Sequence, residues 1–363
     1  MPNNLDIDIL TRILREAETR TVSGAFEHLI DKEINIPKGT REMASDSQKH
    51  LREFLSTECD RDITFPQVLS IQDSDFLGGS FARHVKNWPL DDIDVFLPLD
   101  GYNLLYLQNG LRLPYTVLSD GVLSRNPLLT TRWMVGPSIS SVKLINEFAA
   151  VLRRHYPDET EVVPDGQAVS VRMKQGETQS GDGLGYDVVP CFSLKPDNSS
   201  ELPFYLIPDG ADGWIRTNPR YDQKVSDHLH KKNNKTFRKV VKLLKFWNTE
   251  RLGGVLSSYY IELTIARVFL GKNENNVIID PVSFGVALGL WALNQAVEQG
   301  NQASWIAGAP PVPAGDLTLA QKQLLLIAKM GAHGAWDHER AGDQATAIQE
   351  WRKVFGPKFP ESV

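Results

Sequence analysis

The pattern that most limits what this chain can fold into is Gly78-Gly79-Ser80-Phe81-Ala82-Arg83, followed twelve residues after the serine by Asp92-Ile93-Asp94-Val95-Phe96-Leu97. An apolar segment, Val68 to Leu77, leads into the glycines, so the stretch reads as strand, turn, strand. Side chains at i and i+2 of a strand share a face, so Asp92 and Asp94 project together while Ile93 and Val95 point into a core. No basic residue lies within the strand to offset the two like charges. A divalent cation would. Mg²⁺ takes hard oxygen donors and completes its shell with water and phosphate, so two carboxylates on one strand make half of a nucleotide-phosphate site. The glycines let backbone N–H groups converge on an anion, and Ser80 adds a hydroxyl donor. Taken singly, Gly-Gly-Ser is usually a turn and Asp-x-Asp a solvated strand end. In this order and at this spacing they suit nucleotidyl transfer.

A third carboxylate lies in Gly185-Tyr186-Asp187-Val188-Val189-Pro190-Cys191-Phe192, a β-rich run with a single acid among apolar residues. An unpaired charge there is costly unless it faces a cation or solvent. Asp187 therefore reads either as a third metal ligand beside an attacking hydroxyl or as a buried-edge aspartate paired with an arginine.

Gly-Gly-Ser-x-x-Arg, Asp-x-Asp-Val and Asp-Val-Val-Pro together resemble the DNA polymerase β-like nucleotidyltransferase superfamily. Within it they are similar to the branch of oligoadenylate synthase, cyclic GMP-AMP synthase and the bacterial cyclic-oligonucleotide synthases called CD-NTases. Val85 departs from the pattern, since many relatives carry threonine there. The resemblance implies an α+β fold with two lobes. Residues 1–215 would form a catalytic lobe, with a mixed sheet, flanking helices and an N-terminal brace helix. Residues 216–363 would form a helical lobe that completes the nucleotide cleft.

The rest of the chain accommodates that reading. Its 363 residues suit two lobes with substantial cores, and 41% hydrophobic with 23% charged residues is ordinary globular composition. Two cysteines, Cys59 and Cys191, are too few for a disulfide framework or a structural zinc site. The first residues carry Asp6, Asp8, Arg12 and Arg15 where a signal peptide would be apolar, and Val286 to Leu293 is too short to span a bilayer. A soluble, cytoplasmic protein is expected. A net charge of -6 argues against indiscriminate nucleic-acid binding.

Helices are predicted over Leu5 to Ile30, with Ile7, Leu10, Ile13 and Leu14 on one stripe, over Thr40 to Leu55, and from Ser140 or Ser141 to about Tyr156. Short strands are predicted at Thr160 to Val163 and Ala168 to Lys174. Tyr102, Tyr106, Tyr115 and Trp133 read as packing residues rather than base-stacking ones. From Pro281 onward the chain reads as largely helical, with Trp291, Leu324, Leu325, Ile327 and Trp351 in the core, and its ending, Trp351 to Pro360, resembles the tails of the bacterial synthases.

Between Arg216 and Lys245 ten lysines and arginines face two acids, Asp222 and Asp227, in a chain that is acidic elsewhere. Such a run is often only a solvated helix face. The resemblance makes it a lining for nucleoside triphosphates and implies further site residues. Lys242 and Lys245 would meet the triphosphate, Ser258 would contact phosphate, and Tyr259 would stack on a base. Gly79, Ser80 and Arg83 would hold phosphates, and Asp92, Asp94 and Asp187 would be both catalytic and metal-binding, with two Mg²⁺ ions for which Mn²⁺ can substitute. Asn218 reads as a turn residue before Pro219 and, on the resemblance, as a weak base-selecting candidate. His228, His230, His333 and His338 lack a third ligand nearby and read as solvated.

The function implied is Mg²⁺-dependent joining of nucleoside triphosphates, ATP and GTP among them, into a cyclic di- or trinucleotide second messenger, with pyrophosphate release, in bacterial antiphage signalling. A downstream effector would read the product. A protein activator is left open, no membrane is involved, and no zinc-dependent DNA sensing is expected, since the animal sensors carry a cysteine-histidine insertion. The alternative is a template-independent RNA 3′-end nucleotidyltransferase of the CCA-adding or poly(A) type, for which the chain looks short and acidic. A catalytically idle nucleotide-binding module is a third reading, weakened by the intact triad.

Overall fold

A computed structural model describes residues 20–69, 76–101, 104–108, 115–118, 128, 130–156, 160–173, 184–194 and 204–361. Ile7, Leu10, Ile13, Leu14, Tyr102 and Lys174 lie outside the described residues, as does the side chain of Tyr115.

Up to Thr217 the chain builds a mixed sheet. Its main path runs β1 (Phe76–Leu77), β2 (Ile93–Leu99), β9 (Gly185–Leu194), β10 (Phe204–Pro208), β11 (Trp214–Thr217), β4 (Tyr115–Leu118), β6 (Ser138–Ile139) and β5 (Met134–Val135), with β3 (Leu105–Gln108) paired to β4. The antiparallel pair β7 (Thr160–Asp165) and β8 (Ala168–Met173) joins through β8 to β9. β2 and β9 are parallel and in register over Ile93↔Tyr186 to Leu99↔Phe192. Both read as apolar runs broken by one acid, because a strand paired on both edges and covered on its faces takes apolar residues nearly throughout. Their acids, Asp94 and Asp187, are register partners.

Helices cover this sheet where the sequence places them. α2 (Lys38–Arg61) extends beyond the predicted Thr40 to Leu55, and α4 (Ser141–His155) begins at Ser140, whose side chain accepts from Lys143 N. Phe65, Trp133, Phe148, Ile93, Val95 and Tyr186 are buried in the core beneath them. Trp133 packs, as its sequence context suggests, and donates through Nε1 to the Thr64 carbonyl at 2.8 Å. Tyr106 is exposed.

At Pro219 the chain turns helical, through α5 (Pro219–Lys232), α6 (Thr236–Leu252), α7 (Ser258–Glu274), α8 (Val282–Gln299), α9 (Leu319–Arg340) and α10 (Gln344–Phe355). These helices share a second core, and α1 (Val22–Leu29) belongs to it despite its place in the sequence. Phe26 of α1 is fully buried and meets Trp351, Phe355 and Phe359 edge-on, with centroids 5.0, 5.7 and 5.1 Å away. Trp351 and Leu325 are buried, Leu324 is partly buried, and Trp291 and Ile327 are exposed, contrary to expectation. On α9 the buried residues are Leu325, Ala328, Ala332 and Ala335, one helical stripe, and Ile327 stands off it. Among the described residues no helix is long and apolar enough to cross a membrane.

Candidate active site

The expected turn at Gly78-Gly79-Ser80 is the entry to a short helix, α3 (Gly79–Ala82), and Gly78 N donates to the Asp94 carbonyl at 2.9 Å. Both glycines are required by closeness. A Cβ on Gly78 would sit 2.2 Å from the Phe96 ring, and one on Gly79, whose φ is +59°, would sit 1.5 Å from Asp94 Oδ2. The loop is thus laid directly on the acid-bearing strand. At the first turn of a helix the N–H groups have no intrahelical acceptor, which suits an anion placed beside the acids.

Asp92, Asp94 and Asp187 open on one cleft of about 710 Å³. Asp94 and Asp187 are neighbours across β2 and β9, and Asp92, one residue before β2 begins, lines the same cleft. Burial, with the charges of Asp92 and Asp187 added, pushes Asp94 up to about 6, and Arg83 opposes the rise. Burial also raises Asp187, against the pull of Arg172 and Ser170.

Two of the acids meet cations from outside the strand. Lys86 ion-pairs with Asp92 and also reaches Asp91 at 2.5 Å, while Arg172 Nη1 lies 3.2 Å from Asp187 Oδ1. The arginine pair is the second of the two sequence readings of Asp187, and the residue also lines the cleft with the other two acids. With these pairs in place, no group of three His, Cys, Asp or Glu among the described residues is gathered as a metal cage. The donor set still has the chemistry of a divalent-cation site, because three carboxylates line one cleft and the most buried of them resists ionising without a cation.

Gly79, Ser80, Arg83, Ser258 and Tyr259 line the same cleft as the acids. The other three candidates are placed differently. Lys245 is buried, with Nζ 2.5 Å from Glu262 Oε1 and 3.3 Å from the Val85 carbonyl oxygen. Lys242 is buried with Nζ on Asn35 Oδ1 at 2.9 Å. Asn218 caps α5 by accepting from Tyr221 N at 3.0 Å, the local role its position before proline suggested. Neither lysine nor Asn218 stands on the cleft wall.

Sequence reasoning missed two acids that also line the cleft, Glu262 and Asp222. Glu262, on α7 one turn after Tyr259, takes Arg83 Nε on Oε2 at 2.6 Å as well as Lys245 on Oε1. Burial alone would raise Glu262, but Arg83 and Lys245 outweigh it and hold the carboxylate below its ordinary range. Asp222 accepts from Trp305 Nε1 at 2.8 Å and from the Tyr259 hydroxyl at 3.1 Å. Arg83 lies 5.8 Å from the centre of the Tyr259 ring. The signal for Glu262 was the one used for Asp187, a single acid inside an apolar run.

His228 is exposed, and His230 is half-buried with Nδ1 accepting weakly from Arg238 N at 3.5 Å. His333 and His338 lie 3.6 and 3.7 Å from Asp337 and Asp343.

A loop laid on an acid-bearing strand, a parallel neighbour bearing a third acid and a facing helical wall define a polymerase β-like nucleotidyltransferase fold. No protein-family model matches the chain. Its branch resemblance is to the CD-NTases, in sequence and in fold. The chain is 24% identical over 353 residues to a probable cyclic nucleotide synthase of Bacillus cereus, covering 94% of this chain and 98% of that one. It is 24% identical over 214 residues to the cyclic AMP-AMP-AMP synthase of an Acinetobacter species, 56% of each chain. Among solved structures, E. coli MS115-1 CdnC in complex with HORMA-deltaN aligns with a TM-score of 0.58 at 19% identity, over 93% of this chain and 97% of that one. CdnC with ATP aligns at 0.56 and 18%, over 93% and 98%.

Proposed function

We propose that this chain joins nucleoside triphosphates into a cyclic di- or trinucleotide and releases pyrophosphate, acting in the cytoplasm as the synthase of an antiphage second messenger. The observation that carries the reading is the in-register pair Asp94 and Asp187, which with Asp92 opens on a cleft whose far wall is Ser258 and Tyr259. The likeness to named cyclic nucleotide synthases, over nearly the whole length in the Bacillus case, favours it over RNA 3′-end addition.

Two Mg²⁺ ions held by Asp92, Asp94 and Asp187 would neutralise phosphate charge and make the acceptor hydroxyl more acidic. The residues of the chain supply the rest. The Gly79-Ser80 loop cradles phosphate beside the acids, and Ser258 adds a hydroxyl from the opposite wall. Tyr259 offers its ring to a base, a contact of about 1–3 kcal/mol that does not demand one base identity. Asp222 orients that ring by accepting its hydroxyl. Arg83, held by Glu262, sets the charge behind the loop, and Lys245 acts through Glu262 rather than on phosphate directly. In this reading Asp187 either accepts the proton of the attacking hydroxyl or only helps to hold the metal. Repeating the reaction on the linear product, with one pyrophosphate released for each bond formed, closes the ring.

CdnC has been captured with HORMA-deltaN, and we extend this to a protein activator for the present chain, with a downstream effector reading the product. The test is mass spectrometry of the products formed from mixed ATP, GTP, CTP and UTP with Mg²⁺, before and after phosphatase. A phosphatase-resistant cyclic product is expected. Products that all lose terminal phosphate, or that form only on added RNA, would overturn the reading.

A further inference from the structure

A second cavity of about 730 Å³ lies in the helical half, walled by α7, α8 and α9. It shares no lining residue with the nucleotide cleft, and its volume is that of a small-molecule site. Its apolar wall carries Trp291 and Met330, 44% and 65% exposed. Beside them Phe284 and Trp336 have centroids 5.3 Å apart and ring planes 34° apart. Trp291 is the one of these that the sequence pattern suggested as core, yet it lines an open hollow. Aromatic surface left open in a concavity is what a flat apolar body requires.

The rim gives the charge of the occupant. Arg267, Lys272, Lys329 and Arg340 face one carboxylate, Asp337, in a chain whose net charge is -6. Asp337 is engaged by His333 at 3.6 Å. Arg267 is committed, donating to the Ala303 carbonyl at 2.5 Å, and Lys329 reaches Asn294 Oδ1 at 3.5 Å. Lys272 and Arg340 are exposed, and among the described residues neither has a carboxylate within ion-pair reach. Two unspent cations beside an open indole call for an anionic group attached to a flat ring.

We propose that this cavity binds a small organic anion with a planar aromatic body, at a site separate from the nucleotide cleft. The proposal does not depend on the catalytic reading. The probes are anilinonaphthalenesulfonate, which has both features, and N-phenylnaphthylamine, which has the rings without the charge. Both are titrated by fluorescence into the folded full-length chain, into Trp291→Ala and into Lys272→Glu/Arg340→Glu. All three positions are exposed, and circular dichroism checks that each variant keeps the wild-type fold. Trp291→Ala should weaken both dyes about tenfold. The double charge reversal should weaken the sulfonate about tenfold or more and the neutral dye less than about twofold, and added salt should weaken the sulfonate selectively. Wild-type affinity in both variants would place the dye elsewhere and overturn the assignment. Loss in Trp291→Ala alone would overturn the anionic class, and loss in the charge reversal alone would overturn the aromatic one.

Discussion

Gly79→Ala separates two costs that glycine substitutions usually mix. At φ +59° any side chain meets the left-handed strain of roughly 1–2 kcal/mol. Here the new Cβ would also sit 1.5 Å from Asp94 Oδ2 and 2.6 Å from its Cγ. Bringing that 1.5 Å contact out to an ordinary 3.4 Å moves the carboxylate by about 2 Å, and a displacement of even 1 Å at reacting atoms costs on the order of 100-fold. Gly136, between the short strands Met134–Val135 and Ser138–Ile139, is the control. Its φ is +60° and a Cβ there meets nothing within 4 Å. Each variant should lose roughly 1–2 kcal/mol, read as a few degrees of apparent unfolding temperature. Pyrophosphate release should fall at least about 100-fold in Gly79→Ala and stay within about threefold of wild type in Gly136→Ala. Equal activity in the two variants would refute the argument that the glycine is there to seat Asp94.

Other expectations follow from the same groups. Asp94→Asn and Asp187→Asn should each lose pyrophosphate release by at least about 100-fold, several kcal/mol of transition-state stabilisation. Asp94→Asn should unfold no lower than wild type, because burial and two neighbouring acids already penalise its charge; a clear fall in its unfolding temperature would contradict that. Glu262→Gln leaves Arg83 and Lys245 buried against a neutral amide and should cost about 3 kcal/mol in chemical denaturation. Adding Lys245→Met should return part of it, whereas strictly additive losses would show that the two do not interact. Burial, helped by Arg41, Lys245 and Arg238, holds Lys242 down to about 8 from 10.5. Between those values the unfolded chain keeps a proton that the folded one has shed, so stability rises with pH through this window. Lys242→Met is free of that penalty, and the gap in unfolding temperature between it and wild type should change in favour of wild type from pH 7.5 to 9.5, by an amount worth roughly 1–3 kcal/mol. A gap that does not vary with pH would exclude a strained lysine.

The acids were legible because a strand fixes direction. Once Val68 to Leu77 and Asp92 to Leu97 read as strands, the shared face of Asp92 and Asp94 followed from the two-residue repeat, and Asp187 stood out as a charge that an apolar strand cannot carry unaided. Helices give no such guarantee. Trp291 and Ile327 belong to apolar segments of α8 and α9, but those helices bury only one stripe, and its rotation is set by neighbours far away in sequence. Lys242 and Lys245 share a helical face by their spacing, as expected. That this face is turned to Asn35 and Glu262 rather than to the cleft depends on how α6 packs within the helical core.

Glu262 is where that packing becomes chemistry. Arg83 ends the glycine loop on the sheet side, Lys245 lies on α6 and Glu262 on α7, so one buried carboxylate closes a circuit among elements up to 179 residues apart. A carboxylate in that position is costly with one partner and well compensated with two. The same pair of bonds therefore fixes the seam between the sheet and the helices and the height of the Gly79-Ser80 loop above Asp94. Tyr259, three residues before Glu262 on the same helix, inherits its position from it, with Asp222 holding the hydroxyl at the other end. The two walls of the cleft are thus set by one ion cluster, so a change at Lys245 would reach the Gly79-Ser80 loop and the Tyr259 ring together although its own ammonium touches neither.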